Sequence, residues 1–466
     1  MESGKPYFFC GIGGSGMLPL ACIVRARGHE VAGSDRSLDQ QRLGDKFDYL
    51  RSLGIDLFPQ DGSGLTRPEQ MLVTSAAIEE TVPDVMKAKE LGCERLTRPE
   101  LLARLFNAAP VGIAVGGTSG KSTTTGMIGW ILHAAGRDPT VMNGAVMKNF
   151  VSDEAPFASA LVGSGDAFVS EVDESDGSIA LYRPTVAVLN NISLDHKSLD
   201  ELRHLFRDFA EKAEKVVVNL DDGETRLLAA VLPADKLVTY SCCDPSADFY
   251  SLGMDSAGDI TRFSVADKKS GETRMAFLAM WGAHNGYNAL SAIAAATTAG
   301  VRFGDAVDAI ALFEGLRRRF EVVGERRDIL VIDDFAHNPD KIRATLSAAR
   351  SCLHGRLLVF FQPHGFGPLK MMKQELIGCF VERLSDDDVL ILSDPAYYGG
   401  TTDRSVGSDD IVAGVRAAGR NAEHIADRGG CGERIAALAR PGDRIVVMGA
   451  RDDTLSQFAA QVLASL

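Results

Sequence analysis

An apolar run, Val111–Gly116, leads directly into Gly117-Thr118-Ser119-Gly120-Lys121-Ser122, and a helix-forming stretch follows to about Ala135. A glycine-rich turn between a buried strand and a helix points to a parallel α/β sheet, because the chain must cross over the sheet before the next strand. The same turn aims backbone N–H groups and a helix N-terminus at one spot, which is an anion site. Lys121 would place a point charge on phosphate oxygens, the Ser122 hydroxyl could ligate Mg²⁺, and Thr123 continues the loop into the helix. The generic nucleotide-hydrolase spacing asks for glycine five residues before Gly120, where this chain has Val115. The plainer alternative is a glycine-rich turn with an incidental lysine. The Gly-Lys-Ser-Thr-Thr-Thr run after a buried strand argues against it.

A second loop of this kind lies near the start. Gly11-Ile12-Gly13-Gly14-Ser15-Gly16 satisfies G-x-G-x-x-G between a strand, Tyr7–Gly11, and a helix, Met17–Arg27. A second strand, His29–Asp35, ends in an aspartate at nearly the distance of a ribose contact. Alone, this loop suggests an NAD-dependent dehydrogenase, a reading that leaves Gly117–Ser122 without a task. A chain with both loops calls for two nucleotide-bearing ligands.

The 466 residues are enough for several cores, and strand and helix patterns alternate throughout. The residues suggest boundaries at the Asn107–Pro110 linker and near Phe320. Further strands are expected at Met71–Thr74, Ala167–Glu171, Thr185–Asn190, Lys215–Asn219, Ile329–Ile332, Leu357–Phe361, Val389–Leu392 and Arg444–Val447, with a packed helix around Asn288–Ala299. Three successive α/β domains are expected, over 1–107, 108–319 and 320–466. A formal net charge of −14 argues against a nucleic-acid partner. No apolar run approaches the roughly 18 residues that a membrane helix needs, and the first residues lack the apolar core of a signal peptide. The eight cysteines are scattered without a C-x-x-C pair, as in a cytoplasmic protein with reduced thiols.

Two acidic segments end strands and so face the ligand edge of a parallel sheet. Glu171-Val172-Asp173-Glu174-Ser175-Asp176 follows one, and Asp195-His196 follows the next. Carboxylate oxygens suit Mg²⁺ and a neutral imidazole can complete a site. Alone they would be a solvated loop and a surface histidine. Beside the phosphate loop, Glu171 and His196 become candidate ligands, with Ser122 as the third.

In this order the segments resemble the Mur ligase family, over essentially the whole chain. They are most similar to its branches that act on UDP-N-acetylmuramic acid, one joining L-alanine to it and the other a recycled murein tripeptide. The resemblance implies three domains: a Rossmann-like UDP-binding domain, a central P-loop ATPase-like domain and a C-terminal Rossmann-like domain that takes the amine. Gly11, Gly13, Gly14, Ser15 and Gly16, with Asp35 and with Ser75 in the Leu72–Ala77 stretch, would then serve the sugar nucleotide. Gly117–Ser122 resembles the ATP loop, and Glu171 and His196 its two magnesium ligands. Asn143 falls on an asparagine near the phosphates. His284, Asn285 and Asn288 resemble the adenine segment, Arg319 the arginine that touches nucleotide, and Asp334 the aspartate that binds ribose. His337, in Asp334-Phe335-Ala336-His337, is a candidate orienting group or base for the amine, against a purely structural histidine. Phe206 stands where other branches carry a carbamylated lysine.

The departures fall in the ATP loop and in the segment for the amine. The loop has Ser119 and Ser122 where the family usually has His and Thr. Phe361-Gln362-Pro363-His364-Gly365-Phe366-Gly367-Pro368 lacks both arginines that the alanine branch places beside its substrate's carboxylate. Neither Gly365 nor Pro368 can replace a bidentate guanidinium, which leaves Lys370 as a nearby charge. The resemblance implies an ATP- and Mg²⁺-dependent ligase of peptidoglycan synthesis. It would join an amino acid, L-alanine first, or a short peptide to UDP-N-acetylmuramate through an acyl phosphate, as a monomer or weak homodimer. A non-catalytic nucleotide-binding partner of another ligase is the remaining alternative, and intact Lys121, Glu171 and His196 argue against it.

Overall fold

The computed structural model describes residues 4–75, 78–193, 197–396 and 403–466. Contacts divide the chain into two compact units. One comprises Met1–Met254, Phe263–Leu278 and Tyr287–Glu314; the other comprises Asp255–Arg262, Ala279–Gly286 and Gly315–Leu466.

The first unit opens with five parallel strands: β1 (Pro6–Cys10), β2 (Glu30–Ser34), β3 (Asp56–Phe58), β4 (Met71–Thr74) and β5 (Arg95–Thr97), in the order β3-β2-β1-β4-β5. This is the Rossmann order, with a crossover at β1 that opens a ligand crevice beyond the strand ends. Alternate residues of β1 serve opposite faces: Tyr7 and Phe9 pack with Leu20, Val24 and Leu101, while Phe8 and Cys10 pack with Leu65, Leu72 and Val85. Burial on both faces is why the strand reads as one apolar run. The helix Arg98–Asn107 begins at a capping box in which Thr97 and Glu100 satisfy each other's backbone N–H.

The same unit holds a larger sheet. Its strands are β6 (Val111–Gly116), β7 (Thr140–Met142), β8 (Ala160–Leu161), β9 (Ala167–Glu171), β10 (Val186–Leu189), β11 (Lys215–Asn219), β12 (Leu237–Ser241) and β13 (Phe249–Tyr250). They run β8-β7-β9-β6-β10-β11-β12-β13. β14 (Asp255–Ala257), β15 (Ile260–Asp267) and β16 (Glu272–Leu278) follow, and β13 pairs antiparallel with the end of β15 at Phe249 and Asp267. β6 lies between β9 and β10, all parallel, with Val115 opposite both Glu171 and Val188. The loops after these three strands therefore emerge side by side. The helix Lys121–Ala134 is buried on nearly every side over Ser122–Gly129, two turns whose threonines and glycines are small enough to be packed all round.

The second unit is built on β17 (Glu321–Arg326), β18 (Ile329–Asp334), β19 (Leu357–Gln362), β20 (Val389–Leu392), β21 (Asn421–His424) and β22 (Arg444–Gly449), in the order β17-β18-β22-β19-β20-β21. Only β17 is antiparallel to its neighbour. Ile332, Val359, Leu390 and Val446 pack on one face, and Val331, Leu358, Ile391 and Ile445 on the other.

The expected α/β architecture is present on three sheets. Strands flanked by helices on both faces match the apolar runs closely: Val111–Gly116, Ala167–Glu171 and Lys215–Asn219 are identical to the expectation. The helix expected around Asn288–Ala299 begins earlier, at Ala283. The region from β12 to β16 carried no strand expectation, because its half-exposed strands interleave polar and apolar residues.

Candidate functional site

Two glycines shape the Gly117–Ser122 loop. Gly117 has φ 131° and Gly120 φ 80°, the latter capping the helix Lys121–Ala134. A Cβ at Gly120 would also stand 2.4 Å from Asn288 Oδ1. Glycine is thus required there twice, by conformation and by space. The Lys121 ammonium donates to Gly117 O at 2.7 Å and to Glu174 Oε2 at 2.7 Å. Ser122 Oγ donates to Glu171 Oε2 at 2.6 Å, and Asn143, almost fully buried, donates through Nδ2 to Ser122 O at 3.0 Å. Gly144 leaves Glu171 its room, since a Cβ there would fall 2.0 Å from Oε1. Lys121, Ser122, Asn143, Glu171 and Glu174 are therefore gathered at the ends of β6 and β9.

Asp173 sits behind them. Burial alone would raise its pKa, but the Ser175 hydroxyl and N–H and the charges of Lys121 and Arg98 outweigh that and hold it below the usual carboxylate range. Asp195 and His196 lie outside the described residues, as does Leu194 before them. Among the described residues no cluster of three or more His, Cys, Asp or Glu side chains is arranged to hold a metal by itself. The adjacent Ser122 and Glu171 oxygens are hard donors of the kind Mg²⁺ takes together with phosphate oxygens.

Asparagines in the loop after β10 hold the phosphate loop from the other side. Asn191 Oδ1 accepts from Thr118 Oγ1 and from the Ser119 N–H, both at 2.9 Å, and its Nδ2 donates to Ser119 O at 3.2 Å. Thr118 also meets Ser193 at 2.8 Å. Asn190 links Thr124, Tyr240 and Ser291 in one buried network, and Thr124 reaches Asn288. Burial raises the Tyr240 phenol well above its ordinary pKa, so it stays a donor. Asn190 and Asn191 were missed as site residues. Two polar amides ending an apolar strand were the available signal, because a buried amide there must have partners. Phe206 is fully buried in the helix Leu199–Lys212, with its ring against Gly116.

In the N-terminal loop, Asp35 Oδ2 accepts from the Gly13 N–H at 2.9 Å, and Oδ1 accepts from the Ser37 N–H at 2.7 Å. Asp35 thus clamps the loop and caps a short helix. Gly16 precedes the helix Met17–Ala26, whose first turn has no side-chain cap and no acidic residue. Gly11 adopts φ 82°, Gly14 turns the chain back onto Gly11 O, and Ser15 is exposed. Ser75 follows β4, at the same edge as the loop after β1.

The second unit carries the remaining candidates. Asp334 accepts from the Phe320 and Ala336 N–H groups and from Thr345 Oγ1, while burial pushes its pKa up to about 6. The Arg319 guanidinium lies over the Phe335 ring, 5.0 Å from its centroid. His337 Nδ1 is 3.0 Å from Phe335 O, and its ring stands edge-on to His364 at 5.0 Å. Burial, then the nearby Lys341 charge, lowers the His337 pKa to about 2. A ring so disfavoured as a cation is a weak proton acceptor, which suits an orienting or structural role better than a base. His284 is exposed, and Asn285 donates to Trp281 O at 2.8 Å. Lys370 is exposed and paired with Asp403 at 2.5 Å, so its charge is already partnered. Gly365 has φ 147° and ψ 159°, a conformation open to glycine alone, so an arginine could not stand there without strain.

Sheets, loops and charges together are those of a multidomain α/β protein with two glycine-rich loops at strand-to-helix junctions. Three family models match in succession: "Mur ligase family, catalytic domain" over residues 6–109, "Mur ligase middle domain" over 115–296 and "Mur ligase, glutamate ligase domain" over 318–451. The UDP-N-acetylmuramate–L-alanine ligase of Agrobacterium fabrum is 34% identical over 474 residues, covering 98% of this chain and 96% of that protein. The enzyme of the same name from Geobacter sulfurreducens is 35% identical over 451 residues, covering 95% and 94%. Among solved structures, the UDP-N-acetylmuramate–alanine ligase of Thermotoga maritima superimposes with a TM-score of 0.79 at 23% identity, covering 98% of each chain. A murein peptide ligase from Psychrobacter arcticus gives 0.71 at 26% identity, covering 99% of this chain and 98% of that one. The chain belongs to the Mur ligase family.

Proposed function

We propose that this protein is an ATP- and Mg²⁺-dependent ligase that joins the lactyl carboxylate of UDP-N-acetylmuramic acid to L-alanine in peptidoglycan synthesis. The observation that carries the reading is the convergence of Lys121, Ser122, Glu171 and Asn143 on a glycine-shaped loop at the ends of β6 and β9. Alanine as the amine is supported by the names of the full-length relatives. No helix among the described residues is long and apolar enough to cross a membrane.

In this reading Gly11–Gly16 holds the uridine diphosphate, with Asp35 keeping the loop in shape and Ser75 at its edge. Gly117–Thr123 holds the triphosphate of ATP. Lys121 would exchange Glu174 for phosphate oxygens, and Ser122 and Glu171, with His196, would hold Mg²⁺. Held there, the ion would supply charge neutralisation for passage of the γ-phosphoryl group to the carboxylate. Attack by an uncharged amine on the resulting acyl phosphate then forms the amide and releases phosphate. The resemblance also implies nucleotide contacts for His284, Asn285, Asn288, Arg319 and Asp334, and we assign the amine to the second unit, with neutral His337 orienting it. The proposed domain limits are 1–107, 108–319 and 320–466.

A murein peptide as the amine is the second reading. It is favoured by the glycine-only backbone at Gly365, which excludes the guanidinium that would grip a small amino acid, and by the prior engagement of Lys370. An ADP-release assay with UDP-N-acetylmuramate, ATP and Mg²⁺ separates the readings. L-alanine, other amino acids and murein tripeptide are each supplied, and products are weighed by mass spectrometry. Alanine-dependent ADP release with the matching product mass is expected. Release with tripeptide alone would select the second reading, and no amine-dependent release would refute both.

A further inference from the structure

Arg98 is the first residue of the helix Arg98–Asn107, and its side chain runs along the glycine loop. A Cβ at Gly16 would stand 3.1 Å from Arg98 Cδ, 3.4 Å from Nε and 3.5 Å from Nη1. The guanidinium thus lies against the backbone that opens the helix Met17–Ala26, a helix with no capping side chain and no acidic residue in its first turn. On its other side the nearest acid is Asp176, at 4.0 Å from Nη2, which is the outer limit of an ion pair. Arg98 makes no hydrogen bond through its side chain among the described residues, although it is only 25% exposed and carries five N–H donors. Its charge also helps to hold Asp173 ionised.

A guanidinium without close partners, set beside an uncapped helix N-terminus and glycine backbone, is the arrangement that takes an oxyanion. We infer that Arg98 is a substrate-binding residue that grips an anionic group of the ligand in the Gly11–Gly16 loop, releasing Asp176 as it does so. The group is a diphosphate or a carboxylate; a sugar nucleotide carries both. The inference rests on the proposed use of that loop for a uridine sugar nucleotide. It adds a residue that lies between the glycine loop and the acidic loop Asp173–Asp176.

The test is calorimetric titration of the full chain with UDP, UDP-N-acetylmuramate and, separately, ATP. The variants are Arg98→Ala, Arg98→Lys and Asp176→Asn. Arg98→Ala is expected to weaken UDP-N-acetylmuramate at least tenfold while ATP affinity stays within twofold, and Arg98→Lys should fall between. Asp176→Asn is expected to bind the sugar nucleotide as tightly as the parent or more so, because the guanidinium loses its competitor. Equal weakening of UDP and the sugar nucleotide assigns Arg98 to the diphosphate; weakening of the sugar nucleotide alone assigns it to the carboxylate. Should Arg98→Ala fail to fold, the lysine and Asp176 variants carry the test. Binding by the arginine variants within twofold of the parent would overturn the inference. So would an equal loss in Asp176→Asn, since a merely structural pair suffers from the removal of either partner. If the parent binds no uridine ligand, the proposed function falls too, and the two failures are told apart.

Discussion

Replacing Lys121 by alanine should do two separable things, and the Glu174 carboxylate tells them apart. The pair is 2.7 Å long, with side-chain exposures of 19% for Lys121 and 4% for Glu174. Removing one partner of a buried pair leaves an uncompensated charge, at about 3–5 kcal/mol. Lys121 is not wholly buried, and the space it vacates admits water, which discounts the cost to just below that range, roughly 2–3 kcal/mol. For a domain of this size that corresponds to a melting temperature lower by about 4–12 °C. Adding Glu174→Gln removes the stranded charge and should recover most of that loss. It should not recover ADP formation, because the phosphates would still lack their cation. Thermal unfolding and ADP release are measured on the parent, both single variants and the double variant. The expected pattern is a double variant that melts well above Lys121→Ala and is equally inactive. A Lys121→Ala protein that melts like the parent, or a double variant no more stable than it, would refute the idea that Glu174 depends on Lys121 for its burial.

Gly120→Ala combines a left-handed backbone cost of about 1–2 kcal/mol with displacement of the buried Asn288 amide, about 1–3 kcal/mol more. Gly136→Ala, at φ 73° with open space around it, carries the backbone term alone and should be the more stable of the two in thermal unfolding. Ser122→Ala and Glu171→Gln should each raise the Mg²⁺ concentration needed for half-maximal ADP release; unchanged titrations would show that these oxygens bind no metal. His337 has a folded pKa near 2, below its ordinary 6.5, so its contribution to stability is complete above about pH 6.5 and is lost as pH falls. The slope from this one group is at most about 1.4 kcal/mol per pH unit. Denaturant unfolding between pH 7 and 5 should therefore be flatter in His337→Gln than in the parent, and an identical slope would mean that the imidazole is not held neutral.

Much of the fold was legible because strands buried on both faces must be apolar throughout. Val111–Gly116 and Ala167–Glu171 declared themselves in that way, and the glycine loops marked where one strand of each of the first two sheets meets a helix. Edge strands such as Glu272–Leu278 face solvent on one side and show no such run. The site divides along the same line. Gly120 and Lys121 belong to a contiguous motif whose backbone geometry is local, so their neighbourhood could be read directly. Nothing local predicts that Glu174 meets Lys121, 53 positions away, or that Asn191 holds the loop from 72 positions away.

Residue order by itself determined the α/β class, the two glycine-rich loops and the acidic residues that follow β9. Each depends on periodicity or on a few adjacent residues with fixed backbone needs. Tertiary structure decided which charges are already spoken for. It gave Lys121 to Glu174, Lys370 to Asp403 and the oxygens of Asp35 to backbone N–H groups, and it left Arg98 beside Gly16 with a partner only at 4.0 Å. The physical reason is range. A backbone conformation is set by neighbours in sequence, whereas a charge is satisfied by whatever the packing of distant strands brings within hydrogen-bond reach.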